Sequence, residues 1–504
     1  MASKSPEKVD TNSRAQLAAR YTEYEKSLSF FDAVKIYWRS SLYVLYGLLL
    51  AFNYGMDGVI AGYQVSVPKF REDYGKPLDT GSGYVAYIIT ANWLAIFSAV
   101  GQACAVVGAA TAGYVADKVG RRNAAAISCV ISIGGVAAQY WSNGSLGILC
   151  AGKAINGFPI GMWLVIGPLY ASEVAALRLR GVLSAMTNTT ILSGVFVFSG
   201  VMYHLGVLPT KSSYMIPFAC QWIVPGFVLV TCWMWPESPV WLARTGKRDA
   251  ARRSLERLHG KNSSIDRDGI LAQIEETLAM EKAQAHAEDH DSNNYLECFS
   301  KLHRRRTFIV MFVYTCFYLG GNTFVLGYQT YFYQLIGYSP QKSLLLGLVN
   351  TAVMWVFNVV AWCVIANVRR RPLLVWGQFG AAVCLFLIGG LSVVGSVNAY
   401  KAVVGFIFIW GFFYEISVAT VGWTVGNEIP ALRMRARTIG LGNIVGFVFG
   451  ATTFIGFLGA FFFLPESKDR TPAEMDILFE RKISVRGFHK VDITVTEDTF
   501  HRAE

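Results

Sequence analysis

Charge is what this 504-residue chain has least of: Asp, Glu, Lys and Arg together make up only 16% of it, against about 25% in soluble domains. With 53% hydrophobic residues, that scarcity excludes a disordered chain and argues against a large soluble enzyme. Cysteine offers no framework either. The nine are odd in number and form no CxxC pair, so neither a disulfide scaffold nor a zinc site is indicated. None of the seven histidines falls in the middle of an apolar run. No nucleophile–base set or metal cluster is visible, so no catalytic residue, metal or cofactor is expected. Residues 1–26 are polar and lack the apolar centre of a signal peptide.

What is present suits lipid. The chain has 33 Phe, 24 Tyr, 13 Trp and 48 Gly, and a mean hydropathy of +0.37. Glycine lets helices approach closely in a bilayer, and aromatics settle at its interfaces. Apolar segments of spanning length lie at 41–63, 86–113, 123–141, 146–169, 182–205 and 214–235, then at 307–328, 343–366, 373–396, 402–425 and 439–464. They divide the chain into a cytosolic N-terminal tail (1–40), a first bundle (41–236), a cytosolic central loop (237–306), a second bundle (307–464) and a cytosolic C-terminal tail (465–504). The segment 27–40 is amphipathic with aromatics; it lies along the inner interface or packs on protein. Within the central loop, Arg248–His259 and Ile270–Ala287 read as helical runs.

The basic residues sort by side. Of 45 Lys and Arg, 38 lie in the two termini, the central loop and the loops at 114–122, 173–181, 369–371 and 433–437; only six lie in the opposite loops. That asymmetry orients the bundle, with the basic side in the cytosol. It also assigns the net charge of +11 to topology rather than to nucleic-acid binding. Asn143-Gly-Ser145 falls in an external loop, where Asn143 is a glycosylation candidate.

The halves repeat. Ala116-Asp-Lys-Val-Gly-Arg121-Arg122 has a worn copy in Ile365-Ala-Asn-Val-Arg-Arg370-Arg371, and Glu173-Val-Ala-Ala-Leu-Arg-Leu-Arg180 returns as Glu428-Ile-Pro-Ala-Leu-Arg-Met-Arg435. Pro236-Glu237-Ser238 returns as Pro465-Glu466-Ser467. Three paired motifs in one order imply two homologous bundles, as in transporters with pseudo-symmetric halves.

These motifs resemble the sugar porters of the major facilitator superfamily. Gly113 to Arg122 is similar to the loop after that family's helix 2, and Gly152-Lys153-Ala-Ile-Asn-Gly157 to Gly161 to its helix-4 pattern, with Lys where Arg is usual. Glu173, Arg180-Gly181 and Pro236-Glu237-Ser238-Pro239 match the following elements. The 27–40 leader and Asp57-Gly-Val-Ile-Ala-Gly62 resemble fungal α-glucoside/proton symporters. The resemblance implies an all-α membrane protein with the major facilitator fold, at the plasma membrane. It implies a secondary active transporter of a sugar, an α-glucoside for choice, coupled to a proton by alternating access. Its partners are then the sugar, the proton and the lipid bilayer. The alternative is a carrier of another small molecule, such as a fungal secondary metabolite; a non-transporting sugar sensor ranks below it.

Residue roles follow from the same resemblance together with the physics of charge in lipid, where an ionisable side chain is by default functional. Asp57 is expected to carry the proton and Lys153 to pair with it. Asn188, Asn322, Asn350 and Asn358 supply sugar-binding amides, and Trp423 a face for stacking. Tyr328, Tyr331 and Tyr333 resemble an outer aromatic gate, with Thr323 beside Asn322. Asp117, Arg121, Arg122, Glu173, Arg180, Glu237, Glu428 and Arg435 are expected to latch the cytosolic ends as exposed ion pairs, each worth about 0–1 kcal/mol. Glu415 reads more readily as half of a structural pair in the inner half of its helix.

The chain departs from the pattern in four places. Phe317-Tyr318 replace the helix-7 glutamines, and Ala419-Thr420 replace the Gly-Pro before the stacking aromatic. Ala366 and Arg369 replace an Asp and a Gly. The second half is also short. Glu173 to Pro236 is 63 residues and Glu428 to Pro465 is 37. At about 1.5 Å per residue, 439–464 reaches ~39 Å, enough for one crossing of a ~30 Å core and not two. Eleven spans are therefore expected, one fewer than the family's twelve.

Overall fold

A computed structural model describes residues 11–79, 85–260, 265–287, 295–300, 303–394, 396–430 and 434–448. Helix α1 (Thr11–Ser27) precedes a first bundle: α2 (Phe30–Ser66), the short α3 (Pro68–Tyr74), α4 (Ala91–Val119), α5 (Arg121–Tyr140), α6 (Leu146–Val174), α7 (Arg180–Leu205), α8 (Ser212–Cys220) and α9 (Ile223–Thr231). The central loop carries α10 (Pro239–Arg244), α11 (Arg248–His259) and α12 (Arg267–Ala287). The second bundle holds α13 (Arg304–Leu319), α14 (Asn322–Leu335), α15 (Pro340–Asn367), α16 (Arg370–Val394), α17 (Val397–Tyr414), α18 (Thr420–Glu428) and α19 (Arg435–Val448). Among the described residues, nine helical stretches are long and apolar enough to cross a membrane.

Local chemistry explains the departures from the expected spans. The segment 86–113 does not start as helix. Val85–Ile88 (β2) pairs antiparallel with Lys76–Asp79 (β1), and α4 begins only at Ala91. The span expected at 307–328 is broken between α13 and α14, where Gly321 takes φ +88, a backbone region open to glycine at little cost. Neither piece alone reaches spanning length. The amphipathic leader is continuous with the first span: α2 bends at Tyr37 (φ −101, ψ 15) and runs on. Tyr37 is buried, its hydroxyl sharing a hydrogen bond with that of Tyr21 on α1 at 2.5 Å and its ring meeting His259 of α11 edge-on. This face of the leader packs on protein, while Phe31 and Trp38 are exposed. The span 439–464 is described only to Val448; its remainder, and the C-terminal tail, lie outside the described residues.

Glycines set the bundle's close seams. A Cβ on Gly55 of α2 would stand 1.9 Å from the Ile191 carbonyl oxygen of α7, and one on Gly194 of α7 would stand 2.0 Å from that of Phe52. The two backbones touch through reciprocal glycines, the small-residue packing that helices use where lipid supplies no hydrophobic drive. Between the halves, α7 packs on α15 and α18, α2 on α14, and α19 on α4 and α6. The interior they enclose is rich in buried polar side chains, including Asp57, Lys153, Asn188, Asn350, Asn358 and Glu415.

Candidate functional site

The first constellation lies within the first half. Lys153 on α6 donates to Asp57 Oδ2 at 2.6 Å and to the Asp57 carbonyl oxygen at 2.8 Å. Asn156, one turn further along α6, donates to Asp57 Oδ1 at 3.0 Å. Both members of the ion pair are about 5% exposed. The lysine stem is boxed: a Cβ on Gly101 of α4 would stand 3.1 Å from Lys153 Cε, and the ammonium lies 5.8 Å from the Phe97 ring centroid. Asp57 stands alone among apolar neighbours in the sequence, yet the fold surrounds it with donors.

The second constellation joins the halves. Asn188 of α7 donates to Glu415 Oε2 at 2.8 Å, and Asn358 of α15 donates to the same oxygen at 2.9 Å. Thr189 donates to Asn358 Oδ1, and Trp362 of α15 donates to Thr189 Oγ1 at 2.9 Å. A second indole on α15, Trp355, donates to Ser193 of α7 at 2.9 Å. Glu415 opens a π-helical turn, Glu415–Ala419, between α17 and α18; such turns recur at functional sites. Its Oε1 is buried and accepts no hydrogen bond among the described residues. The sequence carried the signal, an acid in an apolar run, but gave no view of what it would face. Where half of a structural pair was expected, Glu415 has two partners, Asn188 of one half and Asn358 of the other.

The other expected sugar ligands are placed apart from that cluster. Asn350 donates to Gln329 Oε1 of α14 at 2.8 Å. Trp423 packs edge-on against Tyr314 and Phe317 of α13. Asn322 opens α14 after the break. Asn350 Oδ1, Gln329 Nε2, Trp423 Nε1 and Asn322 Oδ1 are all buried without a hydrogen-bond partner among the described residues. Tyr333 is buried, with its hydroxyl in the same condition.

The third constellation closes the basic end. Arg121 grips Glu173 through two bonds, Nη2 to Oε1 at 2.6 Å and Nε to Oε2 at 3.0 Å, and its Nη1 donates to the Ala116 carbonyl at 3.1 Å. Glu237 caps the start of α5. It accepts the backbone N–H of Arg121 at 2.9 Å and of Arg122 at 3.2 Å, where the helix dipole favours a carboxylate. Burial pushes the Glu237 carboxyl up from its usual range, against the pull of those donors. Asp117 collects Arg121 at 3.4 Å, Arg244 of α10, and Arg437 of the second half at 3.4 Å. In the second half Arg370 repeats Arg121: Nη2 reaches Glu428 at 3.2 Å and Nη1 donates to the Ile365 carbonyl at 3.0 Å. Arg180, half-buried, lies in the field of Glu25 on α1 and of Glu428. Arg435 reaches across to the Ser172 carbonyl at 3.5 Å. The expectation of exposed pairs is corrected here: the Arg121 and Glu173 side chains are 1% and 2% exposed. Asn143 sits exposed in the turn before α6, with φ +45.

Comparison with known proteins adds to this geometry. A family model described as "Sugar (and other) transporter" matches residues 43–452. The chain is 26% identical to the general alpha-glucoside permease of Saccharomyces cerevisiae, over 92% of this chain and 79% of that protein. It is 27% identical to a maltose permease of the same yeast, over 95% and 82%. Among solved structures it resembles the major facilitator superfamily proton:xylose symporter XylE bound to 6-bromo-6-deoxy-D-glucose, with a TM-score of 0.72 and 19% identity, covering 88% of this chain and 99% of the other. The same transporter from E. coli in a partially occluded inward-open form gives a TM-score of 0.63 at 21% identity, over 87% and 100%.

Proposed function

The chain belongs to the sugar (and other) transporter family, and on that premise we propose that it is a multi-pass membrane carrier that takes up an α-glucoside together with a proton. The observation that carries this reading is the cross-half cluster of Glu415, Asn188 and Asn358, together with buried polar atoms on Asn350, Gln329 and Trp423 that lack a hydrogen-bond partner among the described residues. A sugar hydroxyl both donates and accepts. Amides and a carboxylate are its natural partners, and a buried polar atom without a bond favours a ligand that supplies one. An indole adds a face for the sugar's C–H surface. The names of the yeast permeases support the α-glucoside class.

Transport then follows from which contacts hold the halves together. The basic end is locked by Asp117–Arg437 and by Arg435 on Ser172. At the other end, Ser66 of α2 donates to Thr330 of α14 at 3.1 Å, and Gln334 donates to the Ser66 carbonyl at 3.0 Å. Alternating access requires one set to release while the other persists. A sugar bridging Asn188 on one half to Glu415 and Asn358 on the other draws the halves together around itself. The proton and Lys153 compete for the Asp57 carboxylate, because a protonated carboxyl no longer holds the ammonium by charge. Asp57 lies on α2, the helix that closes the outer end, so a change of partner there acts on that closure.

The test is uptake of a panel of labelled mono- and disaccharides into proteoliposomes, with and without an inward proton gradient. An α-glucoside should accumulate only with the gradient. Asp57→Asn should abolish accumulation and leave sugar exchange. Equal accumulation by the variant and the wild type would remove the proton role, and a panel with no sugar taken up would remove the sugar.

A further inference from the structure

Asn156 is explained neither by packing nor by the Asp57–Lys153 pair alone. It lies fully buried on α6, one turn from Lys153, and both ends of its amide are engaged. Its Oδ1 accepts from Ser132 Oγ of α5 at 2.6 Å. Its Nδ2 donates to Asp57 Oδ1 at 3.0 Å and to Gln221 Oε1 at 3.3 Å, in the break between α8 and α9. Ser132 and Gln221 are also fully buried. The residue is clamped against α5, since a Cβ on Gly135 would come within 2.7 Å of the Asn156 backbone nitrogen.

The orientation of the amide follows. The Ser132 hydroxyl holds its oxygen, so the nitrogen must face Asp57. A flipped amide would set its oxygen against a carboxylate oxygen. Asn156 is therefore a fixed neutral donor to one carboxylate oxygen while Lys153 takes the other. The charged groups around Asp57 are few. Lys153 faces it from α6, and the neutral, titratable Tyr54 lies on α2 itself. On α4, α5 and α7 the charged residues Asp117, Lys118, Arg121, Arg122 and Arg180 lie at the basic ends, and His204 lies in the last turn of α7. The described part of α14 carries tyrosines and no charge. A donor aimed at the carboxylate therefore meets little electrostatic competition apart from Lys153.

We propose that Asn156, oriented by Ser132 and Gln221, is the positioning residue that holds Asp57 in its charged form and so sets the pH at which uptake responds to protons. The proposal rests on the coupling role of Asp57 given above. An N–H donor bonds more strongly to a carboxylate than to the neutral carboxyl, so it favours the charged form, and its removal weakens that preference.

The experiment is the pH profile of sugar uptake by the full-length chain in proteoliposomes. In Asn156→Leu, which keeps the number and branching of the side-chain heavy atoms and removes the donor, the limb on which uptake falls with rising pH should move to higher pH by about 1–2 units, the range for a lost hydrogen bond to a charged group. Ser132→Ala leaves the amide but frees its orientation, and should move the limb the same way by less. If Asn156→Leu does not reach the membrane, Ser132→Ala and Gln221→Leu decide the matter by the same shift. Profiles superimposed on the wild type would overturn the proposal. The Asp57→Asn arm separates the two failures. If Asp57→Asn accumulates sugar normally, the coupling role itself is wrong. If it loses accumulation while the Asn156 and Ser132 profiles stay put, only the role of Asn156 fails.

Discussion

The two copies of the basic-end motif fold around the same core and differ at its edge. In both, an arginine at the head of a helix reaches back to the carbonyl five residues earlier and sideways to a glutamate: Arg121 to Ala116 and Glu173, Arg370 to Ile365 and Glu428. Around that shared unit the first half is the more elaborate. Asp117 gathers three guanidinium groups, one of them from the other half, and Gly120 turns through φ +94 so that Glu237 can cap α5. The second half has Ala366 where Asp117 stands. It has Arg369 in place of Gly120, and Asn143 is the sole non-glycine residue with positive φ among those described, so Arg369 turns in ordinary backbone. The difference teaches that the arginine–glutamate unit is the repeated structural part. The carboxylate hub that reaches across the halves was kept on one side only.

The comparison can be broken most forcefully at the shared unit. Arg121→Leu leaves Glu173 buried and unpaired, so it should lower stability by about 3–5 kcal/mol, read as a marked fall in the thermal midpoint of the purified protein. Arg370→Leu should cost less, because Glu428 keeps Arg180 nearby. Equal losses would mean that stability depends on the second copy no less than on the first. The turn comes next. Gly120→Ala meets both the positive φ and the Glu237 carboxylate, whose Oε2 lies 2.3 Å from where the Cβ would be, and should cost about 1–3 kcal/mol. Arg369→Gly should cost under about 1 kcal/mol, through chain entropy alone. The smallest change sharpens the contrast. Ala366→Asp restores the missing acid four residues before Arg370, in a half-buried position, and should stabilise by up to about 1 kcal/mol. A destabilised Ala366→Asp protein would show that the second half has repacked beyond the reach of the old motif.

Much of this was visible in the sequence, because membrane spans, charge asymmetry and repeats are local or periodic signals. The run Arg248–His259 is helix α11 end to end, with its buried face at Ala251, Ser254, Leu255, Leu258 and His259, the spacing of one helical stripe. Many of the charged residues that meet at the basic end were legible from the repeats, but Arg244, Arg370 and Arg437, which pair there with Asp117 and Glu428, were not among those expected. Burial at that end was not legible either, since loops rich in arginine read as solvent-exposed. The pairing of Lys76–Asp79 with Val85–Ile88 was hidden because Val85–Ile88 is apolar enough to pass for the start of a span.

The sequence by itself settled that the chain is a membrane protein of two related bundles, which residues carry charge into lipid, and which side is basic. These follow from composition and from spacing along one chain. Tertiary structure alone decided the partners: Asp57 with Lys153 and Asn156, Glu415 between Asn188 and Asn358, Asp117 with Arg437. Each pair meets across different helices, at a level and rotation fixed by backbone seams such as Gly55 on Ile191 and Gly194 on Phe52. A helix's own sequence gives which residues share its face. Which face of which neighbour that stripe will meet depends on how closely the two axes approach and at what angle they cross, and packing sets both.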